Sequence, residues 1–164
     1  MCSGDSHHLE VELGSEAATR ALGQALAARL KAGDLILLRG DLGAGKTALA
    51  RAIIQSCLAA HGIEEDVPSP TFTLVQTYES PALLIAHVDL YRIEDPSELR
   101  ELGLSEIADE GVVLIEWPER AEAEIRRLST DSLDISLTLM SEGLRRAWLE
   151  GRGSWAARLE GLSL

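Results

Sequence analysis

The sequence predicts an α/β protein: a mixed central sheet flanked by helices, with a C-terminal β-hairpin. Three observations carry that expectation. Apolar runs of strand length alternate with helical patterns, the order expected of a layered α/β domain. One apolar run ends in a glycine-rich turn that opens a helix. Elsewhere, pairs of strand-like segments are joined by turns too short for a crossover, so part of the sheet is antiparallel.

Along the chain, residues 1–8 are expected to be a frayed terminus, and LEVEL (9–13) alternates as a short first strand. Ser15 offers an N-cap for a helix carrying Ala18, Leu22, Ala25, Leu26 and Arg29 at helical spacing, with Gly33 ending it. DLILLRG (34–40) is a compact apolar run suited to a buried central strand. Thr47 to His61 is helical again, with Leu49, Ile53 and Cys57 on one face and Gly62 as its terminating residue. EEDVPSP is an acidic loop stiffened by proline. FTLVQTY and LLIAHVDLY predict a hairpin about a turn at ESPA. Asp95-Pro96-Ser97-Glu98 starts a helix, with an N-cap, a proline at N1 and a glutamate at N3. GVVLIEW (111–117) is another buried strand, and PERAEAEIRR a short polar or helical connection. SLDISLTL alternates, with Leu133, Ile135, Leu137 and Leu139 on one face, and SEG turns it back into LRRAWLEG. SWAARLEGLSL predicts a last short helix, and Trp148 and Trp155 are expected in the core or facing a partner. No linker divides the chain, so a single domain over residues 1–164 is expected.

Composition narrows the function. The formal net charge of −12 opposes long-range attraction to nucleic acid, so any role on RNA is expected to run through a partner protein. Lys31 and Lys46 are the only lysines, and an anionic ligand must be held by a locally built site. No apolar run approaches the roughly 18 residues of a membrane span, and the N-terminus lacks the basic-then-apolar pattern of a secretory leader. Cys2 has no apolar segment before it, and Cys57 reads as a small buried hydrophobe. The two cysteines carry no zinc spacing, and a reducing, cytoplasmic setting is expected.

Residues 40–47 read GDLGAGKT and satisfy G-x-x-x-x-G-K-[ST]. Each part has a physical task. The glycines let the backbone curl its N–H groups around phosphate oxygens, and the helix that follows points its positive end at the same place. Lys46 adds a full charge for the terminal phosphates, and Thr47 a hydroxyl for Mg²⁺. Asp41, Leu42, Gly43, Ala44, Gly45, Lys46 and Thr47 are therefore the candidate nucleotide-binding residues, with ATP and Mg²⁺ as ligands. A glycine-rich turn matching by chance is disfavoured by the buried strand before it and the helix after it.

Such a loop needs acidic partners at neighbouring strand ends. Asp89 closes LLIAHV and Glu116 closes GVVLI, where ligands bind in open α/β sheets. Either carboxylate could hold a magnesium-bound water or orient the attacking water, and spacing leaves the division open. Lys46, Asp89 and Glu116 form the candidate catalytic set, and Thr47, Asp89 and Glu116 the candidate metal set. Ser69 and Thr71 sit in the VPSPTF loop, where a hydroxyl could sense the terminal phosphate, against plain loop capping. Arg92 is weighed as a transition-state cation or an ordinary ion-pair partner. Trp117 is weighed as a stacking platform or core, and His87 as a strand residue paired with its surroundings in preference to a base.

Four strings in order, GDLGAGKT (40–47), VPSPTFTLV (67–75), HVDLYR (87–92) and IEWPER (115–120), resemble the bacterial tRNA threonylcarbamoyladenosine biosynthesis ATPase family TsaE, formerly YjeE. The resemblance spans most of the chain. It implies a P-loop NTPase fold and a slow Mg²⁺-dependent ATPase working with the threonylcarbamoyl-transfer subunit TsaD and its partner TsaB. It implies contact with tRNA only through that assembly. By position it gives Lys46 and Thr47 phosphate and magnesium roles, Asp89 and Glu116 the acidic roles, Thr71 a switch-like loop and Trp117 the tryptophan beside the glutamate.

Two other classes remain at this point. A small-molecule kinase would need an acceptor pocket and an arginine-bearing lid, for which PERAEAEIRR is the candidate stretch. A nucleotide-gated interaction module would bind the same ligand with incidental hydrolysis. A GTPase is disfavoured because guanine-reading N-K-x-D is absent and the chain contains no asparagine.

Overall fold

The computed structural model describes residues 6–141 and 143–164. Its elements are β1 (His7–Leu13), α1 (Glu16–Ala27), β2 (Leu35–Arg39), α2 (Lys46–Ala59), β3 (Val75–Glu79) and β4 (Leu84–Asp89), then α3 (Leu104–Glu110), β5 (Val112–Glu116), α4 (Glu122–Arg126), β6 (Ser132–Ser141), β7 (Leu144–Arg152) and α5 (Ser154–Glu160). Short 3-10 segments at Pro96–Leu102 and Pro118–Ala121 precede α3 and α4. One seven-stranded sheet runs in the order β1-β7-β6-β2-β5-β4-β3. Its centre, β6-β2-β5-β4, is parallel, and both margins are antiparallel.

β2 is apolar without alternation because both its faces are covered. Ile36 and Leu38 enter the core under α1, α2 and α5, while Leu35 and Leu37 enter a second core under α3 and α4. α1 and α2 lie close together because residue 23 is glycine: a Cβ there would stand 2.5 Å from the Ala52 Cβ. Ion pairs tie both ends of β2. Arg158 of α5 forks onto Asp34 with two 2.7 Å bonds, and Arg39 reaches Asp134 of β6 and Glu122 of α4.

Several expected boundaries move. The first strand begins at His7, because residues 7 and 8 pair with Gly151 and Glu150 of β7. Residues 1–5, including Cys2, lie outside the described residues. The first helix stops at Ala27, not near Gly33. Arg29 donates from Nη1 to the Ala25 carbonyl, and the Arg29 and Leu30 N–H groups turn back three residues. α2 ends at Ala59, short of the expected His61, while Gly62 terminates the turn as expected, at φ 71° with the Ile63 N–H bonded to the Leu58 carbonyl. Residues 72–74 leave the strand expected for FTLVQTY, since the Leu74 N–H closes a turn onto the Pro70 carbonyl. Asp95 caps its helix through the Ser97 N–H, although the first segment is 3-10. Trp155 belongs to the core, fully buried, whereas Trp148 is exposed on the open sheet face and tilts against His8. Leu139, expected on the buried face, is exposed near the hairpin tip. Cys57 is half-buried against the first core, and burial pushes its thiol up to about 11. Among the described residues no helix is long and apolar enough to cross a membrane.

Candidate functional site

Parallel pairing brings the C-terminal ends of β2, β4 and β5 to one edge of the sheet. The loop after β2 runs there into the N-terminus of α2. Beside it, Asp89 and Glu116 sit directly opposite each other in the β4–β5 register. Adjacent partners in register point to the same face, so the two carboxylates share one opening. That opening, about 400 Å³, is lined by loop residues Leu42, Gly43, Gly45, Lys46 and Thr47, by Ser69 and Thr71, and by Asp89, Glu116 and Trp117.

The loop conformation depends on glycine at position 45, which has φ 104° and directly precedes α2. A side chain there would be strained, and its Cβ would press on Arg145 at 3.3 Å. Lys46 is only 5% exposed. Its Nζ donates to the Gly40 carbonyl at 2.5 Å and the Asp41 carbonyl at 2.9 Å, and it lies 4.1 Å from the centre of the Trp117 ring. Burial holds the ammonium below its usual pKa, against the pull of Glu116, Glu119, Asp89 and Asp41. Thr47 donates its hydroxyl to Glu116 Oε1 at 2.7 Å, and the other oxygen of Glu116 meets His87 Nε2 at 2.7 Å.

Asp89 is held differently. It accepts the Tyr91 N–H at 2.9 Å and a long 3.4 Å contact from the Thr71 hydroxyl, which is itself 2.7 Å from Ser69. Burial pushes its carboxyl above its ordinary value. The Tyr91 amide opposes that shift and the nearby Glu116 charge adds to it. Leu74 and Trp117 have positive φ, 65° and 60°, and both adjoin the site. For such bulky residues this is an uncommon, strained conformation. At Trp117 it swings the indole over Lys46 and against Tyr91, with ring centroids 5.0 Å apart.

The oxygen donors of Thr47, Asp89 and Glu116 fit magnesium in kind. This ion takes one or two carboxylates and completes its shell with water and phosphate oxygens. Among the described residues no group of three His, Cys, Asp or Glu side chains is placed to hold a metal ion.

Among the residues expected from sequence, Asp41 and Ala44 belong to the loop but do not line the opening. Ala44 is buried in the core, and Asp41 contributes its carbonyl to Lys46. Arg92 turns away and lies 4.4 Å over the exposed ring of Phe72. Arg126, in the stretch weighed as a kinase lid, is tied to Glu122 and Asp134. Three residues of the opening went unnoticed in the sequence, Ala48, Tyr91 and Arg145. Tyr91 is recoverable from its position two after Asp89. Arg145 carries no local signal, because only the β6–β7 hairpin brings it over Gly45.

Comparison with known proteins agrees with this architecture. The crystal structure of YdiB from Bacillus subtilis superposes with a TM-score of 0.74 at 26% identity, covering 94% of this chain and 93% of that one. The fold is that of a P-loop NTPase. Among curated proteins, the tRNA threonylcarbamoyladenosine biosynthesis protein TsaE of Rickettsia bellii is 41% identical, covering 81% of this chain and 88% of its own length. TsaE of Bacillus subtilis is 38% identical over 73% of this chain and 78% of its own. TsaE of Aquifex aeolicus is 40% identical over 68% of this chain and 77% of its own. The model of the threonylcarbamoyl adenosine biosynthesis protein TsaE matches residues 13–147, and the chain belongs to the TsaE family.

Proposed function

We propose that this chain hydrolyses Mg-ATP as one step of tRNA threonylcarbamoyladenosine formation, within an assembly that includes TsaD and TsaB. The observation that carries the reading is the 2.7 Å bond from Thr47 to Glu116, which joins the phosphate loop to a strand-end carboxylate inside one opening.

On this reading Lys46 exchanges its two loop carbonyls for phosphate oxygens, and the N–H groups opening α2 take others. Arg145, beside Gly45, supplies a second positive charge. Thr47 and Glu116 would hold magnesium, which would supply positive charge to the phosphates. Glu116 is already bonded to Thr47. Asp89, adjoining Thr71, is left to orient the water and take up its proton, a task eased by its raised pKa. Trp117 covers Lys46 and excludes bulk water.

The Thr71–Asp89 contact also links nucleotide state to the 67–75 loop. A ligand shifts that loop only by binding its conformations unequally. The protein's acidity suits contact with tRNA through partners. Reconstitution tests the proposal: phosphate release and tRNA modification are measured with and without TsaD and TsaB. Hydrolysis and modification rising together is the expected result, and modification proceeding unchanged without ATP turnover refutes it.

One observation favours a nucleotide-gated interaction module as the second reading. Leu42, which lines the opening, is 71% exposed, and Phe72, next to Thr71 in the 67–75 loop, is 81% exposed, apolar surface suited to a partner. Single-turnover hydrolysis distinguishes the two: modification that precedes phosphate cleavage supports gating.

A further inference from the structure

His87 is fully buried in β4, two residues before Asp89, on the face shared with Glu116. Its ring reaches diagonally across to the end of β5, where Nε2 lies 2.7 Å from Glu116 Oε2. Nδ1 is buried with no hydrogen-bond partner among the described residues. A carboxylate only accepts, so Nε2 is the nitrogen that donates. Nδ1 is then best left as a bare lone pair, because an unpaired buried N–H is the costlier orphan. The ring does not line the opening and has no route to a substrate.

The other oxygen, Oε1, accepts the Thr47 hydroxyl. Glu116 is thus held at both ends, between a hydroxyl facing the phosphate loop and an imidazole in the dry interior. We propose that His87 is a positioning residue for Glu116: its Nε2–H fixes the carboxylate so that Oε1 stays beside Thr47, where magnesium enters with the nucleotide. The proposal rests on the nucleotide-hydrolase reading above. Without the ring, Oε2 faces the interior unpaired, and the carboxylate regains a partner by rotating toward the opening, which takes Oε1 off Thr47. Partners behind a metal-binding group commonly affect metal affinity about 10- to 100-fold on removal.

The test uses the whole chain with His87→Leu, which removes the donor, and His87→Gln, whose amide retains one. ATP affinity is measured calorimetrically in excess Mg²⁺ and in EDTA. The wild type is expected to bind more tightly with Mg²⁺. His87→Leu is expected to lose about tenfold or more of that gain, with affinity in EDTA changed less than about twofold. His87→Gln keeps the gain to within about threefold. If His87→Leu does not fold, His87→Asn takes its place, since its shorter amide falls short of Oε2. An undiminished Mg²⁺ gain without the donor overturns the proposal. So does an equal loss with and without Mg²⁺, which marks a packing role. A wild type that binds no ATP defeats the nucleotide reading itself, whereas normal wild-type binding with an unaltered donor-free variant defeats only the role of His87.

Discussion

Replacing Lys46 with methionine removes the ammonium while keeping most of the buried stem. Nζ is held by the Gly40 and Asp41 carbonyls. On the proposed reading, nucleotide binding is an exchange of partners. A hydrogen bond to a charged group is worth about 1.5–3 kcal/mol net. Two unit charges 4 Å apart at an effective dielectric of 20 attract by about 4 kcal/mol. Set against one such bond, the surplus of about 1–2.5 kcal/mol predicts that Lys46→Met weakens ATP binding about 5- to 70-fold. Stability is expected to change little, because the lost carbonyl contacts are offset by release of an ammonium whose pKa burial has lowered. ATP titration followed by tryptophan fluorescence, with a thermal melt of the same sample, measures both quantities. Unchanged affinity would refute the exchange argument. A collapse of the melting temperature would refute it differently, by making Lys46 a structural residue of the loop.

Asp89→Asn is expected to abolish phosphate release while raising the melting temperature at neutral pH. The folded-state pKa of Asp89 is raised, so its ionisation penalises the fold. That penalty is absent below the unfolded carboxyl value near ~3.9 and complete above the folded value. The advantage of the variant should therefore grow as pH rises through the acid range, and melts showing it constant or shrinking contradict the assignment. Gly45→Ala places a side chain at φ 104° against Arg145. A cost of about 1–2 kcal/mol is expected, read as a lower melting temperature together with weaker ATP binding; a normal melt shows the loop to be tolerant. Trp155→Ala empties a fully buried site under Arg158 and should cost about 3–5 kcal/mol in urea unfolding. Phosphate release per folded molecule should be unaltered, and a large change in it would place Trp155 in the nucleotide site.

The elements most legible in the sequence were those whose signal is local. GDLGAGKT, the apolar run of β2 and the capped turn at Asp95 each carry their own geometry, and the structure has them where expected. What escaped depends on distant partners. The pairing of His7 and His8 with β7 extends β1 into residues that read as a polar terminus. Arg145 reaches the phosphate loop only through the hairpin register, and nothing near LRRAWLEG marks it. Asp89 and Glu116 were visible as strand ends. Their different surroundings, one on Thr71 and the Tyr91 amide and the other on Thr47 and His87, arise from side-chain packing that no linear spacing encodes.

β1 pairs only with β7 in the sheet order, and β2 gains one of its two parallel neighbours from β6. During synthesis the first strand must therefore wait, unpaired, until nearly all of this sequence has left the ribosome. The nascent chain meanwhile exposes a half-built sheet margin to its surroundings, a state prone to self-association. Closure of that margin by contacts so remote in sequence is entropically slow. It makes the C-terminal hairpin the segment whose arrival commits the chain to its native state, and truncation there a heavier lesion than its distance from the phosphate loop suggests.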